Sequence, residues 1–156
     1  MHAVWHEIWR GVQSDFADLP GIAEVTQIVL RMLLAALLGG LVGFQRERIG
    51  KSAGLRTHML VSLGSAFFVM IPYQAGMSIA DLSRVMQGIM TGVGFLGAGT
   101  ILKRETDEQI EGLTTAAGLW LTAAVGSAAG MGREASAVLG TVLALLILAF
   151  LPRVKQ

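Results

Sequence analysis

Arg46-Glu47 precedes Gly54-Leu55-x-Thr57, and the same pattern returns 58 residues later as Arg104-Glu105 before Gly112-Leu113-x-Thr115. Threonine at a helix start caps free amide groups, which gives Thr57 and Thr115 (or Thr114) a capping role. A capped helix start also presents the positive end of the helix dipole. Arg46, Arg48, Lys51, Arg56, Lys103 and Arg104 lie nearby. A helix N-terminus with basic side chains suits an anion. The plainer reading, capping plus basic groups reaching lipid phosphates, is preferred. Ser78 and Asp81 have the S-x-x-D spacing of a capping box, and Asp81 can pair with Arg84. Glu47 and His58 stand near the ends of apolar stretches, and Gln87 is a polar side chain within one.

These residues do not compose a catalytic set. Ser, His and carboxylate residues are scattered, and there is no cysteine for a thiolate or a Cys-ligated metal. His2, His6 and His58 lack zinc spacing, so no metal ligands can be named and no cofactor is expected. A net charge of +1 gives no footprint for nucleic acid. The expectation is a protein that is not an enzyme.

The elements that position these side chains are apolar. Charged residues are 15% of the 156, where soluble domains carry about 25%. Five stretches, 28–44, 58–75, 85–102, 113–130 and 135–151, are near the 17–25 residues that cross a bilayer as helix. The first is short and should extend past its apolar run. Eight of the twelve Lys and Arg residues fall on one side, Arg46, Arg48, Lys51, Arg56, Lys103, Arg104, Arg153 and Lys155. Arg10, Arg31, Arg84 and Arg133 fall on the other. The richer side should be cytoplasmic, with the N-terminus outside and the C-terminus inside. The fold expected is an all-α membrane protein with five transmembrane helices over 28–156. Segment 1–27 reads as an outer interfacial amphipathic helix, with Trp5, Ile8, Trp9, Val12 and Phe16 on one stripe. No basic region precedes an apolar run there, so no secretory signal is expected.

The repeat of 58 residues extends into the spans, with Leu38-Gly39 on Leu96-Gly97, Leu63 on Leu121 and Ala66 on Ala124. It implies two parallel helical hairpins related by an axis along the membrane normal. Glycines supply the packing. Gly88, Gly92 and Gly99 share one face of the third span, and Gly94 pairs with Ala98. Ala36 with Gly40 and Gly39 with Gly43 do the same in the first, Gly126 with Gly130 in the fourth. Small residues let helices approach closely in lipid. The expectation is a tight bundle with the third span at its centre. The competing reading is a broken third helix whose freed carbonyls hold a cation.

Three motifs in order, 53–61 (AGLRTHMLV), 92–99 (GVGFLGAG) and 112–117 (GLTTAA) with Trp120, resemble the MgtC/SapB family over about 33–132. The resemblance implies a multi-pass protein of the bacterial inner membrane associated with growth in low magnesium. It also implies a link, in pathogens, to survival within macrophages. Members have been assigned to magnesium transport and to regulation through membrane partners such as the ATP synthase. Two positions depart from the pattern: Gln45 stands where many members carry an acid, and Gln87 stands one position early. Some members carry a soluble C-terminal domain. The sequence ends at Gln156, so a function needing that domain is expected to be lost or supplied in trans. The reading is a non-enzymatic factor of magnesium or envelope homeostasis, working as a homo-oligomer or through partners in the bilayer. The alternative is an oligomeric Mg²⁺ or other cation transporter or channel.

Overall fold

A computed structural model describes residues 2–15, 21–103 and 110–150. Phe16, Arg104, Glu105, Arg153 and Lys155 lie outside the described residues. The chain divides into two units, Met1–Leu30 and Arg31–Gln156. The first contains α1 (His2–Asp15) and the beginning of α2 (Ile22–Arg48). Trp5, Ile8 and Trp9 stand exposed on α1.

The second unit holds the rest of α2, then α3 (Leu55–Gln74), α4 (Ile79–Ala98), α5 (Leu113–Gly130) and α6 (Glu134–Phe150). α2 does run past its apolar stretch at both ends, and α2 and α3 are each long and apolar enough to cross a membrane. Both turn large apolar side chains outward, among them Leu33, Leu37, Leu60 and Phe68. Exposure on that scale suits a lipid solvent better than water.

The helix ends follow from local chemistry. α2, α3 and α5 stop in the same way, at Gly50, Gly76 and Gly132, each with positive φ. The next amide reaches back to a carbonyl five residues earlier: Lys51 to Arg46, Met77 to Pro72, Arg133 to Ala128. This is the Schellman end, which glycine adopts without a Cβ penalty. α4 starts on the expected capping box, where Ser78 Oγ accepts from the Asp81 amide at 3.2 Å and donates to Asp81 Oδ2 at 2.7 Å. Arg84 pairs with Asp81 at 3.8 Å.

Two expectations for the third span are corrected. α4 is one continuous helix, so the broken-helix reading fails. It ends at Ala98 rather than 102, because the Thr100 and Ile101 amides fold back onto Gly97 and Ala98. The chain then forms a two-residue strand, β1 (Leu102–Lys103), antiparallel to β2 (Ile110–Glu111).

The centre of the bundle is α5, not α4. Ten residues of α5 are buried, against three of α4. One core cluster joins Ala35, Leu38, Ala66, Val125, Ala129 and Ala137. The other joins Ala53, Val93, Leu119 and Ala123. α5 contributes to both.

Glycine explains the difference. A Cβ at Gly126 would strike the Ser62 backbone, 2.7 Å from its Cα, and one at Gly130 would lie 2.8 Å from the Ala66 Cα. Gly39 presses the other flank of α3, 2.6 Å from the His58 carbonyl oxygen, and Gly43 meets the Gly54 carbonyl at 2.8 Å. Gly88, Gly92 and Gly94 of α4 meet nothing within 4 Å. Gly97 alone makes a helix contact, against Ala116. Gly99 is the C-cap of α4. Overpacking typically costs about 1–3 kcal/mol. Gly126→Ala should therefore lower stability by about that much, and Gly88→Ala should not lower it. Thermal unfolding in detergent, followed by circular dichroism, checks the contrast.

Candidate functional site

The polar side chains gather where α2 ends and α3 and α5 begin. The last turn of α2 carries Arg46, only 3% exposed. Its guanidinium donates from Nη2 to Thr115 Oγ1 at 3.1 Å, across 69 residues of chain. Thr115 lies in the first turn of α5 and is buried. It does not cap α5, as the sequence suggested. The N-cap is Gly112, with φ 99° and no side-chain cap. The Thr115 hydroxyl is turned inward to receive Arg46.

α3 corrects the sequence in the same sense. Its N-cap is Gly54, again with no side-chain cap of its own. The Leu55 amide instead donates to Glu47 Oε2 at 2.7 Å. The Glu47 carboxylate thus sits at the positive end of the α3 dipole. The anion expected there is supplied by the chain itself. Thr57 and Arg56 are exposed on the first turn of α3 and take no part.

His58 occupies the same turn and is fully buried. Its Nδ1 lies 3.0 Å from the Gly54 carbonyl oxygen. A carbonyl only accepts, so Nδ1 carries the proton and Nε2 of the neutral ring is an acceptor. Nε2 is buried without a hydrogen bond. It faces Gly118 of α5, where an added Cβ would stand 3.6 Å away. Gln45 joins the cluster from α2. Its Nε2 donates to the Leu148 carbonyl of α6 at 3.3 Å, while Oε1 is buried without a partner. Deeper in the bundle, Ser62 Oγ donates to the Ala35 carbonyl at 2.7 Å. Side chains from four helices therefore meet at one end.

The other expected residues lie elsewhere. Asp81 and Arg84 stand at the start of α4. Gln87 and Thr114 are exposed, and Trp120 is half exposed. Trp120 lines a cavity of about 200 Å³ with Met86 and Met90. At the start of α6, Glu134 pairs with Arg31 at 3.6 Å. Ser62, Gln45 and Gly118 were not named from sequence. Only Gln45 had a signal, as a departure from the family pattern. Among the described residues no three His, Asp or Glu side chains group as metal ligands.

Burying an arginine is tolerated when its donors find acceptors. Polar contacts between helices in a membrane average about 0.6 kcal/mol and reach about 1.7. A double-mutant cycle of Arg46→Gln and Thr115→Val, read by unfolding in detergent, should give coupling of roughly that size. Coupling near zero would separate the two residues.

A family model described as the MgtC family matches residues 32–156. The chain is 45% identical over 137 residues to Protein SrpB of Synechococcus elongatus, covering 81% of this chain and 75% of SrpB. It is 41% identical over 129 residues to "Putative magnesium transporter YhiD" of Escherichia coli (strain K12), covering 78% of this chain and 59% of YhiD. With Protein MgtC of Brucella abortus (strain 2308) it shares 44% identity over 124 residues, 78% of this chain and 50% of that protein. It thus spans little more than half of YhiD and half of Brucella MgtC. No solved structure matches it. With a family match across nearly the whole second unit and identities of this size, the chain belongs to the MgtC family.

Proposed function

We propose that this protein is a non-enzymatic factor of magnesium or envelope homeostasis in the bacterial inner membrane, acting through membrane partners or self-association. In this reading α2 to α6 are five transmembrane helices, with the N-terminus outside and the C-terminus in the cytoplasm. The Lys and Arg distribution supports the orientation. α1 lies in the outer interface, which its exposed tryptophans support. The hairpins α2–α3 and α4–α5 are parallel repeats. Supporting this, Gly54 and Gly112 are equivalent N-caps, and the contact of Gly39 with His58 recurs as Gly97 with Ala116.

One observation carries the regulatory reading. The polar groups at the cluster tie helix ends together, while the cavity between α2, α5 and α6, about 220 Å³, is lined mainly by side chains such as Leu38, Val42, Leu121 and Val125. A lining of this kind suits packing and partner binding better than a hydrated ion. The partner class implied is a membrane protein such as the ATP synthase. A second reading, an oligomeric Mg²⁺ or other cation transporter, draws on the name given to YhiD and on the unbonded Gln45 Oε1 and His58 Nε2.

Purified protein in liposomes loaded with a Mg²⁺ indicator distinguishes the two. The expected result is Mg²⁺ entry no faster than in protein-free vesicles, with a membrane partner still co-purifying from cells. Saturable Mg²⁺ flux would overturn the regulatory reading.

A further inference from the structure

Small-residue faces on α2 and α5 are filled by α3, but the face of α4 carrying Gly88 and Gly92 is open. These two glycines line a groove of about 620 Å³ whose opposite wall is α3, with Gly64 and Phe68. Gly64 too meets nothing within 4 Å. Ser65 also lines this groove. It is 4% exposed, and its hydroxyl makes no hydrogen bond among the described residues. A hydroxyl buried in an apolar setting is stabilised by a polar neighbour, and a closely approaching helix backbone offers one.

The charges on the same face indicate the occupant. With 3.6 residues per turn, Asp81, Gly88 and Gly92 fall on one narrow stripe, and Arg84 flanks it. The Arg84 side chain is 82% exposed and that of Asp81 is 50% exposed. We propose that this face is a two-fold interface, in which α4 of a second copy lies along α4 and enters the groove. Two copies in one membrane share an orientation, so the two α4 helices run parallel about an axis along the membrane normal. Each Arg84 then meets Asp81 of the other copy, and Gly88 and Gly92 allow the backbones to close below them. The alternation of charge makes the stripe complementary to itself. The inference rests on α4 spanning the membrane and not on the regulatory role, so Mg²⁺ flux results leave it untouched.

The chain has no cysteine, so single cysteines report contacts directly. Gly88→Cys, Gly92→Cys and Gly94→Cys are each made in the full chain and oxidised in native membranes. Gly94 is equally open but lies about 160° round the helix from Gly92. Disulfide-linked dimers are expected at 88 and 92 and not at 94. Arg84→Asp should reduce the dimer yield, and the exchange Asp81→Arg with Arg84→Asp should restore it. Gly92→Leu should lower the association constant roughly tenfold, measured by single-molecule photobleaching in liposomes. Equal cross-linking at all three positions would mean random encounter and would overturn the interface. So would single copies of the unaltered chain, as when lipid fills the groove, or a charge exchange that fails to restore dimers.

Discussion

The close contact of α3 with α5 is the constraint on which the rest of the bundle depends. In lipid the apolarity of a helix gives no reason to prefer another helix to an acyl chain, so packing distance decides association. Gly126 and Gly130 bring α5 against the backbone of Ser62 and Ala66. Gly39 and Gly43 bring α2 against the opposite flank. α3 is held between them, and its small polar residues become interior. That geometry buries His58 and Ser62 completely.

The polar cluster is a consequence of this spacing. Where α2, α3 and α5 converge, Arg46 is close enough to reach Thr115, and Glu47 is close enough to close the start of α3. Both interactions tie separate helix ends in a region without water to satisfy them. The opposite end of the bundle uses a different device. There Arg31 with Glu134 and Asp81 with Arg84 make more exposed ion pairs. Exposed pairs of this kind contribute little to stability. The end with the buried cluster is therefore the better-fixed end, and it carries two of the three motifs that mark the family.

Much of the fold was legible in the sequence. Apolar runs and turn glycines located the five helices of the second unit to within a few residues, and the S-x-x-D box placed the start of α4. The site was legible in part. Arg46, Glu47, His58 and Thr115 were named, but Thr57 and Thr115 were given capping roles that Glu47 and a glycine N-cap hold instead. Local spacing shows that a threonine stands near a helix start; it does not show that an arginine 69 residues away needs its hydroxyl. The glycines misled for a related reason. A small residue permits close approach without naming the neighbour, so the glycine-rich α4 looked central while the less conspicuous pair on α5 made the contact.

The account stands on the approach of α3 to α5 within a lipid bilayer. Solid-state NMR of the full chain in liposomes, with ¹³C at the Cα atoms of Ser62, Gly126 and Gly92, measures it directly. The expected result is a strong correlation between Ser62 and Gly126, with none between Ser62 and Gly92 of the same copy. A weak or absent Ser62–Gly126 correlation would contradict the account, and would remove the reason for Arg46 and Thr115 to meet.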